Sequence, residues 1–353
     1  MAAAQDSDSR LTTAALLAVL LIIAAAAASF AAPALQRTVT EALIKLVVVV
    51  GMYIFVGNSG VLSFGHVSFM ALGAYMSAIL TIPPAKKEVL LDLPAVLAGL
   101  ELPGATAALI AAGFAGVVAM VVGVPLMRLR GIALPMATFA LLAITHVVAL
   151  NWKEVTGGRQ ALVGLPRFTT LWVALAAAVI TLFAAAAYQQ TRRGLLLRCS
   201  RENEVAAAAT GIHVQRERLI AFVLSAAFVG LGGVLFAHFL GTMTANTLYL
   251  DMTFVTLTML VVGGMRSLTG ACIGTALVSI VAEVFRMIEK GFDVGGLQIG
   301  APPGLQEIAL SLILLAILIF RPDGLVGNWE MGWPSRLRST VGAVPAPSKS
   351  NED

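Results

Sequence analysis

The sequence predicts an all-α membrane protein, a polytopic helix bundle of about ten segments. Three observations carry that prediction. Hydrophobic residues make up 59% of the 353 positions and charged residues 12%. A soluble domain carries about a quarter charged residues, and half that density cannot cover a water-facing surface of this size. The mean hydropathy of +0.91 agrees. The apolar residues also gather in windows close to the roughly 20 needed to cross a bilayer. Disorder, a collagen repeat, a disulfide scaffold and a soluble enzyme are excluded at this point.

The windows follow in chain order. Residues 11–32 form the first. They read as a span and not as a cleaved leader, because the run exceeds a usual leader core and its head carries Asp6, Asp8 and Arg10. Residues 46–56 with their flanks, then 61–82, 105–127, 132–150, 169–188 and 219–240 come next. Residues 254–264 and 268–285 read as a broken pair around Gly263, Gly264 and Arg266, and 305–320 as the last span. The run 88–104, with Asp92, Pro94, Glu101 and Pro103, is too interrupted to cross. It reads as an outer loop or interfacial segment. The expected division is a tail over 1–10, a transmembrane domain over 11–327 and a disordered tail over 328–353.

An even number of crossings puts both termini on one side. The loop 189–218 carries Arg192, Arg193, Arg198, Arg201, Arg216 and Arg218, so the positive-inside rule makes it cytoplasmic. Arg128, Arg130, Arg266, Arg321, Arg336 and Arg338 then fall on the same side, while Lys86 and Lys87 oppose the bias. Both termini are expected in the cytoplasm of a bacterial inner-membrane protein.

The net charge of +4 forms no basic stripe of the kind that tracks nucleic acid. Cys199 and Cys272 lie in unlike contexts and form no metal-ligand spacing. No glycine precedes any lysine, so no Walker-type phosphate loop exists. None of His66, His146, His213 and His238 is followed by Glu, so the zinc-protease motif is missing too. No cofactor is expected on this chain. Glycines in mid-span, Gly230, Gly232 and Gly233, read as close helix packing, as does the pair Gly270 and Gly274.

Two stretches stand out. Asn58, Ser59, Ser63, His66 and Ser68 interrupt an apolar run, and polar groups in hydrocarbon are costly unless they face protein or water. At spacings of four and three, Ser59, Ser63 and His66 would share a helical face. They would line a translocation path, with His146 a weaker member, or they would simply bond neighbouring helices. A Ser63–His66 dyad for catalysis lacks a third orienting group. The second stretch, 201–211, reads as a short helix. Glu202 and Glu204 suit its positive end, and Gly211 suits a left-handed stop. It would dock a soluble partner or only set topology.

Five stretches, in order, resemble one family: the LivM-type permease subunits of branched-chain amino-acid ABC importers. Gly60-Val61-Leu62-Ser63-Phe64-Gly65-His66, followed by Phe69, Gly73, Ala74 and Tyr75, is similar to its early signature. Leu129-Arg130-Gly131-Ile132, Leu150-Asn151-Trp152 and Thr156-Gly157-Gly158 resemble its middle section. Arg201-Glu202-Asn203-Glu204, Ala206-Ala207 and Gly211-Ile212 resemble its ATPase-facing loop. Val262-Gly263-Gly264-Met265-Arg266-Ser267-Leu268-Thr269-Gly270 resembles its glycine-rich break, and Phe320-Arg321-Pro322-Asp323-Gly324-Leu325 its terminal motif. Met265 and Arg266 depart from it, since the family has a further glycine there, and the segment 86–104 is longer and more polar than usual.

The resemblance implies a type II-like importer permease fold. It also implies a second, LivH-like permease subunit, two cytoplasmic ATPases and an extracytoplasmic substrate-binding protein. It points to Arg201, Glu202, Asn203, Glu204 and Gly211 for coupling. The implied cargo is a branched-chain amino acid or a related small polar solute. A secondary transporter driven by an ion gradient is the alternative, and it would need an intramembrane charge network or inverted repeats.

Overall fold

The computed structural model describes residues 2–91, 94, 98–290, 292–294, 297–299, 304–321, 323–327 and 329–330. Its helices are α1 (Ala2–Ser29), α2 (Pro33–Ser59), α3 (His66–Thr81), α4 (Pro84–Leu90), α5 (Gly104–Leu126), α6 (Ala133–Asn151) and α7 (Lys153–Thr156). They continue with α8 (Leu171–Gln190), α9 (Arg192–Glu202), α10 (Glu204–Ala209), α11 (Val214–Leu240), α12 (Leu250–Gly263), α13 (Leu268–Lys290) and α14 (Leu305–Phe320). Two small hairpins complete the described elements. Leu162–Val163 (β1) pairs antiparallel with Thr242–Met243 (β2), and Phe292–Val294 (β3) with Leu297–Ile299 (β4).

Eight helical stretches among the described residues are long and apolar enough to cross a membrane. The sixteen-residue helices α3 and α14 bring the apolar segments to the expected ten. Their outer faces carry exposed Leu109, Val121, Ile144 and Ile180, as hydrocarbon requires.

The bundle is built around α11, which packs against α2, α3 and α5. Small residues make this possible. A Cβ at Gly233 would lie 1.9 Å from the Met70 carbonyl oxygen, and one at Gly73 2.3 Å from that of Gly230. Ser225 Oγ donates to the Gly51 carbonyl at 2.8 Å across the α11–α2 seam. The pair Gly270 and Gly274 also acts within the chain. A Cβ at Gly274 would meet the Met259 oxygen at 2.0 Å, so α12 and α13 touch backbone to backbone.

Three expectations change. Residues 61–82 are not one helix. Gly60 takes a left-handed conformation that stops α2, and α3 begins only at His66. Ser59 and Ser63 therefore do not share a helical face with His66. The stretch 201–211 is likewise two helices, because Asn203 is extended (φ −155°) and ends α9 before α10 starts. Lastly, Trp329 and Glu330, expected in the disordered tail, bond the start of α13. Positions 331–353, the rest of that tail, lie outside the described residues.

Part of the segment 86–104 also lies outside them. Its described part is tied down: Leu102 N–H donates to the Leu80 carbonyl at 2.9 Å, and the buried Lys87 ammonium donates to that of Leu100. Burial pushes Lys87 below the ordinary lysine range, against the opposing pull of Glu101.

Candidate functional site

The Arg-rich loop marks one end of the bundle, called here the basic end. Thr191 Oγ1 accepts the Gly194 N–H at 3.1 Å and opens α9. Asn203 Oδ1 accepts the Ala206 N–H at 2.9 Å and opens α10. Gly211 (φ +86°) closes α10. Its N–H bonds the Ala208 carbonyl at 3.0 Å while Ile212 N–H bonds that of Ala207 at 3.1 Å, the paired closure known as a Schellman motif. Gly211 is the stop that the sequence pointed to, whereas Asn203, named there only through the family resemblance, opens the helix as its cap.

The charged members divide by direction. Arg201 turns inward: its Nη1 donates to the Gly57 carbonyl at 2.8 Å, and its stem lies where Gly60 leaves room. Glu204 also turns inward, bonding Arg218 of α11 at 3.0 Å and facing Arg130 of the α5–α6 turn at 3.5 Å. Glu202 stays exposed. Its hydrogen bond and charge contact with Arg201 hold its carboxyl below the usual carboxylate range. Sequence reasoning missed Val205, whose side chain is 79% exposed on a six-residue helix. Next to it, Arg130, Ile212, His213 and Gln215 help line an open cleft of about 580 Å³. An apolar side chain in an alanine-rich turn among arginines was the available signal.

This end is wired to the glycine-rich break. Tyr53 Oη donates to the Arg266 carbonyl at 3.3 Å and accepts from Gln189 Nε2. Arg198 donates to the Gln189 carbonyl at 2.8 Å. The C-terminal motif folds across the same break. Leu325 and Val326 N–H bond the carbonyls of Val262 and Gly263 at 2.9 and 3.1 Å. The Glu330 carboxylate accepts from Leu268 N–H (2.8 Å), Thr269 N–H (3.2 Å) and Thr269 Oγ1 (2.9 Å). It caps α13, where the helix dipole favours a negative charge. Two stretches far apart in sequence thus form one unit.

The other sequence-derived residues lie elsewhere. Ser63, His66 and Ser68 are fully buried. His66 Nδ1 and Ser63 Oγ are 2.8 Å apart, and the imidazole sits among Phe55, Phe69 and Phe222, with ring centroids 5.4–6.3 Å away. Neither described cavity touches this cluster, and His66 Nε2 and Ser68 Oγ are buried without a hydrogen-bond partner among the described residues. His146 stacks flat on Tyr249 at 3.8 Å. No group of three or more His, Cys, Asp or Glu among the described residues could hold a metal ion.

The sequence model of the family described as "Branched-chain amino acid transport system / permease component" matches residues 34–320. The chain belongs to this family. It is 26% identical over 321 residues to the high-affinity branched-chain amino acid transport system permease protein LivM of Escherichia coli K12, covering 81% of this chain and 68% of that one. The Salmonella typhimurium LivM matches to the same extent. A probable LivH permease of Methanocaldococcus jannaschii is 28% identical over 145 residues, 40% of this chain and 43% of that one. No solved structure matches. The chain is therefore a multi-pass, helical LivM-type permease; the break and the Arg-rich loop lie in the matched region, which ends at Phe320, the first residue of the terminal motif.

Proposed function

We propose that this permease is one transmembrane half of an ATP-binding cassette importer for branched-chain amino acids or a related small polar solute. It pairs with a homologous LivH-like permease, sits on two cytoplasmic ATPase subunits and receives cargo from an extracytoplasmic binding protein. The basic end faces the cytoplasm, where the positive-inside rule places it, and both termini lie there. The protein resides in the bacterial inner membrane. It has no ATP site of its own and needs no cofactor.

The observation that carries this reading is α10 itself: a short helix, capped at both ends, with Val205 presented outward and Glu204 holding it to α11 and the α5–α6 turn. The ATPases push on the exposed face. Arg201 and Glu204 pass the displacement to α2 and α11, while Asn203 and Gly211 keep the helix intact. ATP shifts the conformational equilibrium only through its different affinity for the two states. In the reconstituted complex, Glu204→Arg should lower substrate-stimulated ATPase activity while capture by the binding protein persists. Unchanged coupling would remove α10 from this role.

One observation favours the second reading. Lys45, Glu41, Arg286 and Glu283 form a connected charge network along α2 and α13, as an ion-coupled transporter requires. Uptake that survives ATP depletion but collapses with the proton gradient would establish it.

A further inference from the structure

That network borders an open cavity, a cleft of about 390 Å³, within the size range of small-molecule sites. Glu41 and Lys45 line it from α2. Asn246, Thr247 and Asp251 line it from the 3₁₀ turn Asn246–Leu248 and the start of α12, and Met252 and Val255 add apolar surface.

Its depth follows from helix geometry. Ser59 ends α2 at the basic end, so at 1.5 Å per residue Lys45 lies about 21 Å and Glu41 about 27 Å from that end. The fourteen residues of α12 also rise only about 21 Å, less than the hydrocarbon thickness of about 30 Å. Asp251 and the turn before it therefore lie at membrane depth. Non-helical backbone and ionised side chains are tolerated there only inside protein or beside water. The cavity supplies that access.

Its charges are arranged in opposition. The Lys45 ammonium is 2.7 Å from one Glu41 oxygen, and the other Glu41 oxygen faces Arg286 at 3.7 Å. Asp251 lines the same space from the first turn of α12, with no ion-pair partner among the described residues.

We propose that this cavity is a transit site for a zwitterionic aliphatic amino acid. Asp251 takes the α-ammonium, Lys45 the α-carboxylate, and Met252 and Val255 the hydrocarbon side chain. Asn246 and Thr247 supply neutral hydrogen-bonding groups. Such a site must hold its cargo weakly enough to release it. The inference rests on the transport reading above and names where that transport recognises its cargo.

The test is equilibrium binding of radiolabelled leucine to the full permease–ATPase complex in nanodiscs, without binding protein. Competitors are 4-methylpentanoate, which lacks the ammonium, 3-methylbutylamine, which lacks the carboxylate, and urea, which lacks both charges. Saturable leucine binding that valine displaces and these three do not is expected. Asp251→Asn should weaken it about tenfold or more, the effect of losing one charge-assisted hydrogen bond, while Asp251→Glu retains most of it. Asp251 also suits the positive end of α12 electrostatically. If that were its only role, Asp251→Asn would leave leucine binding unchanged, and that result would overturn the site. Equal competition by the singly charged analogues would overturn it without any variant. Absent binding in a complex that imports leucine with its binding protein and ATP would sink the site and leave the transport reading standing. Failure of the wild-type complex to import leucine with ATP would sink the site and the branched-chain amino-acid reading, and failure to import any small polar solute with ATP would sink the importer reading as well.

Discussion

At the basic end of α2, charged side chains bond backbone groups or one another across helices. Arg201 holds the Gly57 carbonyl, Arg198 that of Gln189, Glu330 the opening N–H groups of α13, and Glu204 ties α10 to α11. Halfway along the same helix the pattern reverses. Lys45, Glu41 and Arg286 meet only one another and Glu283, and Asp251 meets no charge among the described residues. Charges that close a frame spend their bonds on the backbone or on a fixed partner across helices. Charges that recognise a passing solute must keep capacity in reserve. The difference separates anchors from ligands without reference to how polar either region is.

Breaking the frame should have the largest effect. A Cβ at Gly263 would lie 1.9 Å from the Gly270 carbonyl oxygen and 2.7 Å from its carbon, and neither can yield without moving a helix. Gly263→Ala should cost about 3 kcal/mol or more through overpacking, read as a lowered melting temperature and loss of the assembled complex. A variant as stable as the wild type would mean that the seam is loose and that the two regions share no fixed reference.

The next test contrasts two glutamates. Glu330→Ala removes the cap of α13 and should cost about 1–2 kcal/mol in thermal denaturation. Glu330→Gln should cost less, because its amide oxygen still accepts. Glu41→Gln removes a charge from a mostly buried network that borders the cavity, whose water can solvate the charges left behind, so it should lower stability less than Glu330→Ala does. If Glu41→Gln proves the more destabilising of the two, the cleft charges are structural and the contrast between the ends fails.

Much of the frame was readable in the sequence because its signals are local. Apolar windows set the spans, and Gly211 announced the end of α10 through the left-handed conformation that glycine adopts without strain. Three things were not readable. The helical spacing of Ser59, Ser63 and His66 suggested one face, but left-handed Gly60 breaks the helix between them, and His66 is held by three phenylalanines from different helices. The charge network was hidden for a related reason. Glu41 and Lys45 look like a routine i,i+4 pair until folding sets Arg286, 241 positions further along, beside them. Glu330 likewise gives no local sign that it caps a helix 62 residues earlier.

The smallest effects belong to the face of α10. Gly211 has no neighbour within 4 Å of where a Cβ would stand, so Gly211→Ala meets no clash and costs only the left-handed conformation, about 1 kcal/mol. That cost should appear as faster amide exchange within Glu204–Ala209 and its closing residues, with global melting nearly unchanged. Val205→Ser should leave even that exchange unaltered, since the side chain touches little, and should weaken only the association with the ATPases. The two variants divide what the helix does: one loosens the lever, and the other blunts its contact. If Val205→Ser slowed transport no more than it changed stability, the exposed valine would be an ordinary surface residue. Work from the ATPases would then enter through the neighbouring cleft around His213 and Gln215.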